Sequence, residues 1–162
     1  MLRDRNLVPL SRQHQHALAL CVRIRRAALA SPAELKAWQS EIQQHFEQEI
    51  RYHFAAEEAH LFPAARKYPE LVTLIDELLA DHQQLRVYFA QCSAGTLDEA
   101  AVRQFTETLS DHIRKEERQL FEDLQRRMPP ETLLKVGQQL DQMLAAAPQA
   151  CITPTESLLD KF

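Results

Sequence analysis

Apolar residues recur along this chain every three or four positions, and the recurrence is interrupted in only four places. Leu10, Ala17, Leu18, Cys21 and Ala28 mark a first helix over about 11–29, with Ser11 as its N-cap just after Pro9. Ser31-Pro32-Ala33-Glu34 offers a capping box with Pro at the first helical position. It opens a second helix, which Trp38, Ile42, Phe46, Ile50, Phe54 and Leu61 carry to about Ala65. Lys67-Tyr68-Pro69 breaks the pattern. Leu71, Leu74, Ile75, Leu78, Leu85 and Phe89 then define a third helix over about 70–92, closed by Ser93-Ala94-Gly95. Thr96 and Glu99 suggest a second capping box, and Val102, Phe105, Leu109, Ile113, Leu120 and Leu124 define a fourth helix to about Met128. Pro129-Pro130 stops it, and a shorter fifth helix spans about 131–146, followed by a polar tail from Pro148.

Long amphipathic helices with short connections predict an all-α, up-down-up-down four-helix bundle. On this reading residues 1–128 form the bundle. Residues 129–162 form a C-terminal helix and tail that pack on it or extend from it; the tail is open to a docking role on the bundle or on a partner.

The bundle alone does not explain a repeat. Residues 53–62 read HFAAEEAHLF and residues 112–121 read HIRKEERQLF, each with Glu four residues after His. Side chains four apart share a helix face, so His53 projects with Glu57 and His112 with Glu116. His14 falls on the apolar stripe of the first helix and His82 on that of the third. Each helix therefore aims one His at the bundle axis, and two helices add a Glu. A lone His on an apolar face is commonly a hydrogen-bonded core residue. Buried carboxylates beside four histidines need a compensating cation, because ionised groups in an apolar core are costly. Imidazole and carboxylate suit first-row metals such as iron, manganese or zinc. The repeat implies an approximate two-fold relation, placing His14 and His53 on one ion, His82 and His112 on another, and Glu57 and Glu116 between them. Ferritin-like di-iron bundles use Glu-x-x-His and more glutamates. The reversed order and wider spacing here argue against that chemistry.

Composition changes this picture little. The 162 residues are 45% hydrophobic and 26% charged, with a formal net charge of -4 and no basic concentration that suggests nucleic acid. Arg23, Arg25 and Arg26 suit the end of the first helix, where cations complement the macrodipole. Cys21, Cys92 and Cys151 are far apart and form no CxxC, so neither a disulfide framework nor a thiolate site is expected. Cys21 reads as small core packing. No apolar run approaches a membrane span or leader, and a cytoplasmic location is the expectation.

LSRQH (10–14), HFAAEEAHLFP (53–63), LLADHQQL (78–85) and HIRKEERQLF (112–121) together resemble the hemerythrin-like, or HHE cation-binding, domains. The resemblance implies a non-haem, usually di-iron, centre, two Fe2+/Fe3+ ions with a bridging oxide or hydroxide. It also implies binding of dioxygen, nitric oxide or peroxide for sensing, storage or detoxification. Carried over, the ligands are His14, His53, Glu57, His82, His112 and Glu116. Oxygen-carrying members have a further histidine on the third helix, where this chain has Arg86 four residues after His82. His60, three residues after Glu57, is expected to supply that ligand to the His82–His112 ion, leaving the His14–His53 ion with an open position. Glu58 and Glu117 read as surface ion-pairing groups, Glu49 as an acceptor for an imidazole N–H, and His16 and His45 as solvated. Two alternatives stand beside a binding protein: an enzyme consuming peroxide or oxygen, and a metal-responsive interaction module in iron homeostasis. A homodimer, an electron donor and a protein partner are left open by the sequence.

Overall fold

The computed structural model describes residues 2–147, and every regular element among them is helical. Helix α1 is Val8–Arg26. Helix α2 runs over 32–65 without a break: α-helical Pro32–His45, Arg51–Ala56 and Phe62–Ala65 are joined by π-turns at Phe46–Ile50 and Glu57–Leu61. After a 3₁₀ turn at Pro69–Leu71 comes α3, Val72–Ala94. Helix α4 runs over 99–127, with Glu99–Lys115 and Phe121–Arg127 joined by a π-turn at Glu116–Leu120. Helix α5 is Pro130–Leu144.

Helices α1 to α4 close a ring in which each touches the next and α4 returns to α1. Helix α5 lies against the second half of α2. The caps explain most boundaries. Ser31 Oγ accepts from Glu34 N–H at 3.2 Å, and Glu34 Oε2 accepts from Ser31 N–H at 3.1 Å, the reciprocal pair read from the sequence. Gly95 ends α3 in the left-handed region at φ 68°, with its N–H on the Cys92 carbonyl and that of Thr96 on Gln91. The chain's other glycine, Gly137, serves packing. A Cβ there would sit 2.6 Å from the Cβ of Asn6, so α5 lies flush against the N-terminal segment only with glycine at this position.

Several expectations shift. Helix α1 begins at Val8 rather than Ser11, because Pro9 fits the first turn and needs no N–H partner there. It also ends earlier, so Ala28 is exposed and Leu29 turns inward instead. Asp98, not Thr96, caps α4, its Oδ1 accepting from Ala101 N–H at 2.8 Å. Phe46, Leu18 and Leu74 are half-buried rather than fully inside; Phe46 stacks on Phe89 with centroids 4.2 Å apart. Cys21 and Cys92 are free and buried, and burial pushes the Cys92 thiol up to about 12, so both behave as apolar packing. The C-terminal tail and Cys151 lie outside the described residues.

The apolar interior falls into two clusters. One contains Leu20, Ile42, Phe54, Leu85, Phe89 and Phe105; the other contains Leu10, Leu61, Phe62, Leu78, Phe121 and, from α5, Leu133, Val136 and Leu140. Each fully buried side chain of this size contributes about 1.5–3 kcal/mol. Along α1 to α4, the residues between the two clusters are His14, His53, Glu57, His82, His112 and Glu116, all buried. A polar belt thus cuts the core in two. Well-packed apolar side chains in its place would commonly stabilise the fold as much or more.

Candidate metal centre

Helical phase brings the belt together. His14 (α1), His53 (α2), Glu57 and Glu116 place ligand-capable atoms within 4.8 Å of one another, and so do Glu57, His82 (α3), His112 (α4) and Glu116. The two glutamates are common to both groups. The Nε2 atoms of His14 and His53 stand 3.0 Å apart, and those of His82 and His112 stand 3.2 Å apart. Glu57 spans the groups, with Oε1 at 3.1 Å from His53 Nε2 and Oε2 at 3.4 Å from His82 Nε2. Glu116 Oε2 lies 3.0 Å from His14 Nε2 and 3.4 Å from His112 Nε2.

Glu57 and Glu116 are both 0% exposed, and none of their four oxygens accepts a well-formed hydrogen bond. A carboxylate in that position costs several kcal/mol unless something else satisfies it. A divalent ion does so. Ligand atoms bound at about 2.1 Å and at right angles stand about 3 Å apart, which is the spacing of the Nε2 atoms here. The donor set fits a pair of first-row ions.

Electrostatics reinforce the grouping. Burial acts against charging His14, but Glu116 and Glu117 overcome it and raise the imidazole to about 10. Burial likewise opposes the charge on His82, yet Glu57 and Glu58 lift it to about 9. Burial raises the Glu57 carboxyl, while the His53 and His82 imidazoles more than offset it and hold the group well below its usual range. The buried carboxylates thus favour the charged form of both imidazoles.

Three of the four outer imidazole nitrogens are also held by hydrogen bonds, and the fourth, on His112, faces a carboxylate. His14 Nδ1 meets Glu117 Oε1 at 2.7 Å, and His82 Nδ1 meets Glu58 Oε1 at 2.7 Å. His53 Nδ1 meets Gln13 Oε1 at 2.8 Å, and His112 Nδ1 lies 3.5 Å from Asp81 Oδ2. Such contacts leave Nε2 free for a metal and fix the plane of the ring. Glu117 is drawn down to about 2: burial opposes the shift, and the hydrogen bond from His14, with the charges of His14 and Arg3, outweighs it. The hydrogen bond from His82 is the main cause that lowers Glu58.

Sequence reasoning makes Glu58 and Glu117 ion-pairing groups, as their pairs with Arg86 and Arg3 show, but misses their contacts with His82 and His14 and misses Gln13 and Asp81. The signal is present: all four are chain neighbours of belt residues, at matching places in the two halves. What hides the glutamates is the backbone. In both copies of the repeat a π-turn starts at the buried Glu, closed by Phe62 N–H on the Glu57 carbonyl and Phe121 N–H on the Glu116 carbonyl. Each residue of such a turn rotates through less than the ~100° of an α-helix. Glu58 and Glu117 therefore stay nearer the inner face, where they meet the neighbouring helix.

The same turn corrects the expectation for His60. That residue rotates out of the belt and lies half-buried in a groove between α2 and α5, beside Lys67 and Lys135. Two further expectations change. His45 is buried, only 4% exposed, rather than solvated, and burial lowers its pKa. Glu49 pairs with the exposed His16, Nδ1 to Oε2 at 3.0 Å, not with a belt imidazole.

One cavity adjoins the belt. It is lined by Gln13, His14, Ala17, Glu49, His53 and His112 together with apolar neighbours, and its volume of about 20 Å³ suffices for about one water-sized molecule.

An all-helical bundle with a buried centre of histidines and shared carboxylates defines a class of cation-binding proteins. The chain matches the hemerythrin HHE cation-binding domain over residues 7–150, and it belongs to that family. No curated protein and no solved structure matches it. Among the described residues no helix is long and apolar enough to cross a membrane.

Proposed function

We propose that this chain holds two iron ions and uses them to bind dioxygen or a related small ligand, nitric oxide or peroxide, for sensing, storage or detoxification. His14 and His53 hold one ion, His82 and His112 the other, and Glu57 and Glu116 bridge them. The observation that carries the reading is the pair of fully buried carboxylates that accept no well-formed hydrogen bond yet face four imidazole nitrogens at 3.0–3.4 Å. Iron supplies reversible one-electron chemistry at such a centre. The chain's own residues orient the ligands, exclude bulk water and admit one small molecule beside His14 and His53, where the cavity lies. Gln13 and Glu49 give that cavity its polar wall. Leu109, Ile113 and Ala17 give it an apolar one, which slows unwanted proton delivery and loss of the centre.

Metal analysis with visible spectroscopy of aerobically purified protein tests the proposal. Two irons per chain, with visible bands lost on reduction and restored by oxygen, are expected. A single zinc, or no metal on a folded chain grown in ample iron, overturns the two-ion reading and favours a metal-responsive interaction module. Rapid turnover with peroxide would assign the same centre to an enzyme.

A further inference from the structure

Beyond the outer imidazole nitrogens the structure repeats itself once more. Glu58 Oε1, which meets His82 Nδ1, also forms an ion pair with Arg86 at 2.9 Å. The Arg86 guanidinium lies 5.5 Å from the centroid of Phe54, and Phe54 stacks on His82 with centroids 3.7 Å apart. On the opposite side, Glu117 uses Oε1 for His14 and Oε2 for Arg3, the latter at 2.6 Å. Arg3 also donates to the Glu117 carbonyl at 2.8 Å. Its guanidinium lies 5.0 Å from the centroid of Phe121, and Phe121 stacks on His14 at 5.6 Å with rings 14° from parallel.

Each closed circuit has the same members: Arg to Glu, Glu to His, His against Phe, Phe beneath Arg. The sequence origins differ. Arg86 lies on α3, one turn after His82, whereas Arg3 comes from the N-terminal segment ahead of α1. Two unrelated parts of the chain supply the same group to the same place on the two halves of the centre.

An isolated, half-exposed Arg–Glu pair contributes little to stability. Its value here is geometric. Glu58 and Glu117 keep 31% and 25% of their side-chain surface exposed, so without the guanidinium each carboxylate could swing into water and release its imidazole. We propose that Arg3 and Arg86 are positioning residues for the metal centre: each clamps the carboxylate and the phenyl ring that hold one imidazole in its ligating plane, Arg3 for His14 and Arg86 for His82. The N-terminal segment is thereby part of the site. This inference rests on the two-ion reading above.

Competition titrations of Fe2+ against a chromogenic chelator, without oxygen, test it on the full chain and on Arg86→Met and Arg3→Met. Losing a contact of this kind weakens metal binding by about 10–100-fold. Each variant should show that loss for one of its two ions, keep the other, and leave the metal-free melting temperature near wild type. Gln125→Ala is the control for Arg3. Gln125 Oε1 accepts from Arg3 at 2.8 Å and from Asp4 N–H at 3.2 Å, so its loss loosens the N-terminal segment and leaves the Arg3–Glu117 pair. It should bind both ions as wild type does. Wild-type affinity for both ions in both arginine variants would overturn the clamps while leaving the two-ion reading intact. So would an equal loss in Gln125→Ala, which would reduce Arg3 to a tether. Uptake of fewer than two ions by the wild-type chain would overturn the two-ion reading and the clamps with it.

Discussion

The half of the bundle made by α1 and α2 and the half made by α3 and α4 present the same groups to the centre, yet they are packed differently. His14, His53 and Glu57 correspond to His82, His112 and Glu116, and Gln13 corresponds to Asp81. Three residues beyond the helix-borne His, however, α1 has Ala17 where α3 has Leu85, and one turn before the repeat α2 has Glu49 where α4 has Thr108. Ala17 and Glu49 line the cavity, while Leu85 is fully buried in the apolar cluster. The two halves thus separate two tasks. On the proposed function, holding ions needs charge and imidazole at fixed places and would be done twice; admitting a ligand needs a missing side chain and would be done once.

The most damaging change should be one that the two halves share. Replacing Glu57 or Glu116 by Gln removes a carboxylate common to both groups, and metal copurifying with the protein should fall from two ions per chain toward none, as elemental analysis would record. Retention of both ions would show that the carboxylates do not bridge.

A narrower change should separate the halves. Ala17→Leu copies Leu85 into the first half and fills the cavity. Both ions should remain while the affinity for a small ligand, followed by the visible bands, drops by more than about tenfold. Overpacking of this kind costs about 1–3 kcal/mol of stability, which thermal melting would register. Unchanged ligand binding would mean that access lies elsewhere.

Protons should affect the halves alike, with opposite signs for stability and for metal affinity. His14 at about 10 and His82 at about 9 are raised above the ordinary 6.5. Their contribution to the metal-free fold is complete below about pH 6.5 and is lost as pH rises through 9 to 10. The metal-free melting temperature should therefore fall over that window. Metal affinity should rise between pH 6 and 8, by up to about tenfold per pH unit for each proton displaced. Calorimetry in buffers of different ionisation enthalpy counts those protons. A flat affinity would contradict the pairing of these imidazoles with Glu116 and Glu57.

The smallest effect is expected where the copies differ away from the belt. His60→Gln makes the first copy match Gln119 of the second, and iron content should not change. Loss of one ion would return His60 to the ligand set.

Much of this fold and centre is legible in the chain itself. Helical phase is set locally, so the spacing of apolar positions is enough to place four helices and to turn His14, His53, Glu57, His82, His112 and Glu116 inward. Resemblance to a known family supplies the expectation of iron. The failures cluster where the backbone departs from regular α-helix. The expectation for His60, and the imidazole contacts missed for Glu58 and Glu117, extrapolate a constant ~100° per residue through π-turns. The apolar spacing does not mark those turns, although one starts at the buried Glu in each copy of the repeat.

The sequence by itself determined the helices, most of their ends and the chemical character of the belt, because propensity, capping and periodicity act between near neighbours. Only the tertiary structure decided which oxygen meets which imidazole nitrogen, that His45 is covered, that an arginine from the N-terminal segment matches one on α3, and that a cavity opens beside His14. Those outcomes depend on distances between helices, and such distances follow from the packing of all the side chains together.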